Sequence, residues 1–191
     1  MVVASQLQLP TLAEEIVVIH ARQARAFIVQ HHYMARMENF APLCYGLYRD
    51  GILDGVFVFS LPLGDEMFLG FDRRLVVELA RCVWLDKGDR NTGSRTIAIL
   101  LARLRQDWFR HQGISPELVV SYCDTSRHTG TLYRACNFID AGLTDERKNP
   151  TRVGSLVRPR QAFADRQTVK RRYVYPLTRS ARKHLMRRAA D

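Results

Sequence analysis

Apolar positions along the chain follow two periods, and the switches between them mark out the elements. Glu15 to His20 is a β-branched run and predicts a strand. Ala21 to Tyr33 then sets Ala24, Phe27 and Ile28 at the spacing of one helix face. Met34 to Pro42 mixes charges with Asn39 and reads as a loop or a second short helix. Leu43 to Phe59 holds two apolar runs split by Arg49-Asp50-Gly51, and Asp-Gly between such runs predicts a hairpin. Leu61 to Arg73, with Pro62, Gly64 and Gly70, reads as an irregular connection. Leu75 to Leu85 is the clearest strand. Strict alternation puts Leu75, Val77, Leu79, Arg81, Val83 and Leu85 on one face, and Glu78 with its even-numbered neighbours on the other.

A polar loop from Asp86 to Ser94 leads into a long helix whose apolar face is Ile97, Leu100, Leu101, Leu104 and Trp108 and which stops near Gly113. Leu118 to Tyr122 predicts a short buried strand ending at Asp124. A short helix over Thr131 to Cys136, a turn at Asn137 and a strand from Phe138 follow. Thr168 to Leu177 has strand character, and Ser180 to Arg188 reads as a basic helix. The expected architecture is α/β, a mixed central sheet flanked by helices, in one domain over 1–178 with a basic C-terminal helix or tail at 179–191. The Asp50-Gly51 hairpin argues against a doubly wound nucleotide-binding fold.

Charge changes the picture at the C-terminal end. Of 29 Lys/Arg and 19 Asp/Glu, the segment from Glu146 to Asp191 holds 14 and 3, which leaves 15 and 16 for the first 145 residues. A near-neutral body with a strongly basic end predicts a polyanionic partner. Lys170, Arg171, Arg172, Arg182, Lys183, Arg187 and Arg188 carry no accompanying stripe of large apolar residues, which favours nucleic acid over a membrane. No apolar run approaches the ~20 residues of a bilayer span. Met1 to Pro10 lacks the basic start and cleavage pattern of a signal peptide, so a cytoplasmic protein is expected. Cys44, Cys82, Cys123 and Cys136 share no C-x-x-C spacing and are expected as buried free thiols.

Several polar groups stand out. The loop Arg90-Asn91-Thr92-Gly93-Ser94 opens the long helix, where free N–H groups and the helix dipole favour phosphate, and Thr92 and Ser94 can cap or contact a ligand. Arg81, among apolar strand residues, needs a salt bridge with Asp86 or Asp89, or an anion. Glu78 is either a base raised by burial or a solvated edge carboxylate. His31, His32 and Tyr33 end the first helix, where neighbours splay by about 100°, so not all three can meet one point while the helix lasts. Asp124 is the best distant carboxylate to join them, and His plus carboxylate suits non-haem Fe(II). A structural histidine pair is the alternative. Tyr133 is a candidate general acid or a core tyrosine.

Two resemblances sharpen this reading. Tyr133-x-x-x-Asn137-Phe138 is similar to the Y-x-x-x-[GN]-F signature of the GNAT acyltransferase fold, and Arg90-x-x-Gly93-x-Arg95 to its [RQ]-x-x-G-x-[GA] coenzyme A loop, departing at the third anchor. There Arg95 is expected to crowd the backbone approach. The set His31-His32-Tyr33, Glu78-Leu79-Ala80-Arg81, Asn91-Thr92-Gly93-Ser94, Tyr122-Cys123-Asp124 and Tyr133-Arg134-Ala135 resembles the Mom DNA-modification proteins of Mu-like phages. That resemblance implies a GNAT-like fold, phage or prophage origin, and carbamoylmethylation of the N6 amine of adenine in DNA, protecting it from restriction. It implies that Arg81, Ser94 and Tyr133 line a pocket for acetyl-CoA or another acyl or aminoacyl donor. It also implies that His32, Tyr33 and Asp124 form an iron site. The target amine lies inside a duplex, so the base must be flipped out. Phe40 or Tyr45 is then expected to stack on it.

Overall fold

The computed structural model describes residues 14–37, 42–63, 67–85, 89–144 and 169–188. Phe40, Asp86, Thr168 and residues 146–167 lie outside the described residues. In chain order the elements are β1 Glu14–Ile19, α1 Ala21–His31, β2 Leu43–Arg49, β3 Ile52–Ser60, β4 Met67–Phe68, β5 Phe71–Asp72, β6 Val76–Trp84, α2 Thr92–Gln112, β7 Leu118–Asp124, α3 Thr131–Ala135, β8 Ile139–Leu143, β9 Lys170–Pro176 and α4 Arg179–Arg188. A single 3-10 turn, Arg73–Leu75, leads into β6.

Seven strands form one sheet in the order β1-β2-β3-β6-β7-β9-β8, and β4 with β5 makes a separate two-residue ribbon. Asp50 (φ 50°) and Gly51 (φ 77°) join β2 to β3 in the left-handed region that a two-residue hairpin turn demands. The α2 helix closes on Gly113 (φ 74°), whose N–H reaches the Phe109 carbonyl at 2.8 Å. Asn137 (φ 60°) turns the chain from α3 toward β8, a conformation Asn tolerates better than most residues.

Helices cover both faces. On one side α2 buries Ile97, Leu100, Leu104 and Trp108 against Phe57, Phe59, Val77 and Val119. On the other, α1 lays Ala24, Phe27 and Ile28 on Cys44, Val56 and Val58. Beside it α4 sets Ala181 and Leu185 against Val76, Leu118, Val120 and Val174. Arg182, Lys183, Arg187 and Arg188 stay on the exposed side of α4. The basic helix therefore has an apolar stripe of its own, short but buried.

Two irregularities in the sheet place the site. In the β3–β6 ladder Val58 faces Arg81 and Phe59 faces Leu79, so Ala80 is an extra residue, a β-bulge. The bulge reverses the strand's alternation, because a one-residue slip moves every later side chain to the opposite face. Val77 and Leu79 face α2, whereas beyond the bulge it is Cys82 and Trp84 that do, while Val83 and Leu85 turn to α1. The strict alternation expected from Leu75 to Leu85 therefore fails at its middle. Glu78, opposite Ser60, and Arg81, opposite Val58, share a face instead of being back to back.

The second irregularity is a divergence. β6 and β7, the one parallel pair among the described strands, match at Val76–Leu118, Val77–Val119 and Glu78–Val120 and then separate. β9 continues along β7 as far as Asp124–Lys170, so the sheet splits between β6 and β7 and not elsewhere along β7.

Candidate functional site

The split between β6 and β7 is a cleft of about 410 Å³, a size within the range of small-ligand sites. Ser121 sits at its apex. The Ser121 hydroxyl donates to the Leu79 carbonyl at 2.9 Å, taking the place of the ladder bond lost where the strands part. The Ser121 and Tyr133 hydroxyls lie 3.0 Å apart. Ser121 has one proton and the carbonyl can only accept, so with both contacts made the Tyr133 proton is the one shared between the two hydroxyls. Tyr133 stacks on Tyr173 with ring centroids 4.8 Å apart and 13° between planes, and burial raises its phenol far above the usual range. It is held as a neutral phenol.

Along one wall Glu78, Arg81 and Cys82 come from β6. Arg81 donates to the carbonyls of Arg36, at 3.0 Å, and Ala80. The expected bridge to Asp89 does not form, because Asp89 pairs with Arg95 at 2.7 Å. Cys82 is half-buried and its thiol is pushed up to about 12, chiefly by desolvation. Cys44, Cys123 and Cys136 are buried, and all four cysteines are free.

The mouth is built by residues just past the end of α1. The helix stops at His31, with His32 in an extended conformation (φ −94°, ψ 135°). His32 and Tyr33 thus escape the splay a helix would impose, and their rings stack 4.5 Å apart. They meet Asp124, Arg127, His128 and Lys170 across the cleft. Burial, then the charges of Arg81 and His128, lower the His32 pKa to about 4. The Met34 N–H donates to His32 Nδ1 at 3.1 Å, so the neutral ring carries its proton on Nε2. Asp124 accepts at Oδ1 from the Ser126 N–H at 3.0 Å and from the Ser126 hydroxyl, and Oδ2 lies 3.7 Å from Arg127. Burial, with the Asp124 charge, raises the Tyr33 phenol.

These groups fit iron poorly. A metal-bound histidine carries its proton on the nitrogen that faces an acceptor, whereas the Nδ1 of His32 faces a donor. Asp124 has Oδ1 taken by Ser126, and burial shifts the Tyr33 phenol away from ionising. Among the described residues no group of three His, Cys, Asp or Glu is gathered for a metal.

In the loop expected to cradle phosphate, several side chains have partners within the fold. None of Arg90, Asn91, Thr92, Gly93 and Ser94 lines the cleft. Thr92 is buried, and its hydroxyl accepts from the Arg49 guanidinium. Gly93 lies under Trp84, whose ring a Cβ there would overlap. The Ser94 hydroxyl donates to the Asn91 carbonyl at 3.1 Å, while Arg90 and Asn91 are exposed. At the positive end of α2 stands the chain's own carboxylate, Asp89, which accepts from the Asn91 N–H at 2.9 Å. Arg95 is held by that carboxylate and by Glu14, 2.9 Å away. The residue missed by sequence reasoning is Arg49. Nearly buried, it joins Glu14 of β1 and Asp54 of β3 at 3.0 Å each, and Thr92 of α2.

Tyr45 corrects another expectation. It is fully buried, donates to Asp107 at 2.9 Å, and has no ring face for a nucleobase. The basic residues divide into two groups. Lys170, Arg171 and Arg172 are half-buried on β9: Lys170 lines the cleft, Arg171 pairs with Asp140, and Arg172 lies over Phe68. The four on α4 are exposed.

Residues 14–153 match the sequence model of the Mom protein family. The chain belongs to that family. Its matched span runs from β1 through β8 and so includes nearly every wall of the cleft, with Lys170 lying outside it. No curated protein matches the sequence. Among solved structures, this Mom-family chain is similar to yncA, a putative acetyltransferase from Salmonella typhimurium with its cofactor acetyl-CoA (TM-score 0.55, 13% identity, 87% of this chain and 95% of that one). It is equally similar to the ribosomal-protein-S18-alanine N-acetyltransferase from Escherichia coli (0.55, 13%, 87% and 95%). A GNAT family acetyltransferase from Elizabethkingia anophelis with acetyl-CoA bound gives 0.51 at 10% identity, over 85% and 97%. The fold is that of the GNAT acetyltransferases. No described helix is long and apolar enough to cross a membrane.

Proposed function

We propose that this Mom-family chain is a DNA-modifying transferase that places a carbamoylmethyl group on the N6 amine of adenine in duplex DNA, protecting phage DNA from restriction in the host cytoplasm. The observation that carries the reading is that the family match covers the segment that builds the cleft. The inner cleft, beside Leu79, Arg81 and Tyr133, suits the donor, and the mouth at His32, Tyr33 and Asp124 suits the extruded base. Glu78 stands on the same face as Arg81 and is the candidate to take the N6 proton. His32, as an Nε2–H donor, is suited to holding a carbonyl or a base edge.

An acyl-CoA donor is supported by the acetyl-CoA-bound acetyltransferases of the same fold. The Asp89 carboxylate at the head of α2 weighs against a diphosphate seated there, so an acyl or aminoacyl donor without one fits the same cleft. Plain acyl transfer would join N6 to a carbonyl carbon, whereas the proposed product joins it to a methylene. The donor must therefore carry a leaving group on that carbon, which departs with its bonding pair as the bond to N6 forms and N6 gives its proton to Glu78; no step through iron is assigned.

Mass spectrometry of nucleosides from cells producing the protein tests this. Adenosine carrying a carbamoylmethyl increment is expected, and its loss in His32→Ala and Asp124→Ala variants that stay folded and still bind DNA. Unmodified DNA beside abundant folded protein would sink the reading. A second reading, a conventional N-acetyltransferase, is favoured by the solved relatives and would instead give an acetylated amine outside DNA.

A further inference from the structure

Three of the aromatic side chains that line the cleft have definite work in the fold. Trp84 lies parallel to Phe57, 5° apart, and covers Gly93. Tyr133 is stacked on Tyr173 and bonded through Ser121. Tyr122 is half-buried in the strand wall beside the α4 cluster. Tyr33 differs. It is exposed, 47% accessible, where Trp84, Tyr122 and Tyr133 are not, and it stands at the mouth rather than in a core.

What surrounds Tyr33 is planar or cationic. His32 stacks on it at 4.5 Å and 26°, and His128 meets it at 5.7 Å and 57°. The Arg127 guanidinium lies over the ring, 4.9 Å from its centroid. Arg127 is itself 56% exposed, and its ion pair with Asp124 is long, at 3.7 Å. A guanidinium so loosely tied to its carboxylate is a displaceable cover, and the ring beneath it presents a flat apolar face to a ligand. Flat, weakly polar and rimmed by Arg127, Lys170 and His128 against the single carboxylate of Asp124, such a face suits a nucleobase with phosphates on either side.

We infer that Tyr33 is the stacking platform for the extruded acceptor base, with Arg127 moving from the ring to a flanking phosphate as the base arrives. This rests on the DNA-adenine reading above and gives Tyr33 a role in holding the substrate, in place of metal ligation or acid catalysis. Stacking uses the ring and not the hydroxyl. It is also indifferent to base identity, so the platform contributes affinity for any extruded base.

The test is binding of the full-length protein to two duplexes, one fully matched and one with a central adenine opposite an abasic site, which lowers the cost of extrusion. The parent protein is expected to bind the second more tightly. Tyr33→Phe keeps that preference. Tyr33→Leu loses about tenfold or more on the second duplex, as removal of one base–aromatic stack does. Its unchanged binding to the matched duplex shows that it remains folded. A Tyr33→Leu protein that keeps the full preference, or a Tyr33→Phe protein that loses it as completely, would overturn the platform. A parent protein that modifies DNA adenine but shows no preference would overturn the platform and spare the functional reading. A parent protein that does neither would end both.

Discussion

At the scale of single residues, buried polar groups set the most specific expectations. The His32 pKa lies near 4 in the folded chain against a usual 6.5, so the unfolded chain binds the proton first as pH falls. Stability contributed by neutral His32 is therefore complete above pH 6.5 and is lost between there and about pH 4. The unfolding midpoint of the parent should fall across that window, and a His32→Gln variant should lack that part of the decline. Arg49 is a starker case. Removing it by Arg49→Met strips buried Asp54 of a cation 3.0 Å away, and loss of one partner from a buried pair costs about 3–5 kcal/mol. Urea unfolding would show this, and a loss below about 1 kcal/mol would mean that the pair is no better than a surface one. Gly93→Ala drives a methyl into the Trp84 ring and should cost roughly 1–3 kcal/mol by overpacking.

Elements place these residues, and β6 does most of the placing. Its bulge at Ala80 carries Arg81 to the α1 side, where the Arg36 carbonyl lies. Deleting Ala80 would remove the bulge yet leave Arg81 opposite Val58 on the α1 side and Trp84 on the α2 side, because Leu79 and Arg81 would then alternate as direct neighbours. We expect such a deletion, like Ala80→Gly, to fold with normal circular dichroism. A deletion protein that fails to fold would show that the twist the bulge adds is itself required. Ser121→Ala tests the point of divergence: it leaves the Leu79 carbonyl and the Tyr133 hydroxyl without their partner, a cost of about 1–3 kcal/mol.

The whole molecule has a charged end tied to its core. Ala181 and Leu185 of α4 fill the cluster with Val174 and Leu118, so cutting the chain after Thr178 would remove core along with charge. Exchanging the exposed Arg182, Lys183, Arg187 and Arg188 for Gln is the cleaner change. If each neutralises one phosphate, the slope of log affinity against log salt should flatten by about 0.9 per residue. Thermal melting should be nearly unaffected. An unchanged slope would place the DNA contacts elsewhere, with Lys170, at the cleft beside Asp124, the next residue to test.

The order and kind of elements could be read from the chain, because periodicity and turn residues act locally. Asp50-Gly51 announced its hairpin, the α2 face was written in Ile97 to Trp108, and Asn137 marked its turn. The sequence also brought His32, Tyr33, Asp124, Arg81 and Tyr133 forward by residue type and motif, and all five line one cleft. Packing decided the rest. Nothing local says that β9, last in sequence, inserts between β7 and β8, or that β6 and β7 part after three paired residues. A bulge is one residue among many with ordinary composition, so alternation alone could not show that Glu78 and Arg81 share a face. Tyr45 and Tyr33 look alike as exposed loop or strand aromatics in sequence, yet burial beside Asp107 closes one ring and the cleft mouth opens the other. The use of Asp89, Thr92 and Gly93 likewise depends on Arg95, Arg49 and Trp84, partners six to 43 residues away. Local propensity chooses elements; which side chains meet is set by the non-local contacts those elements make when they pack.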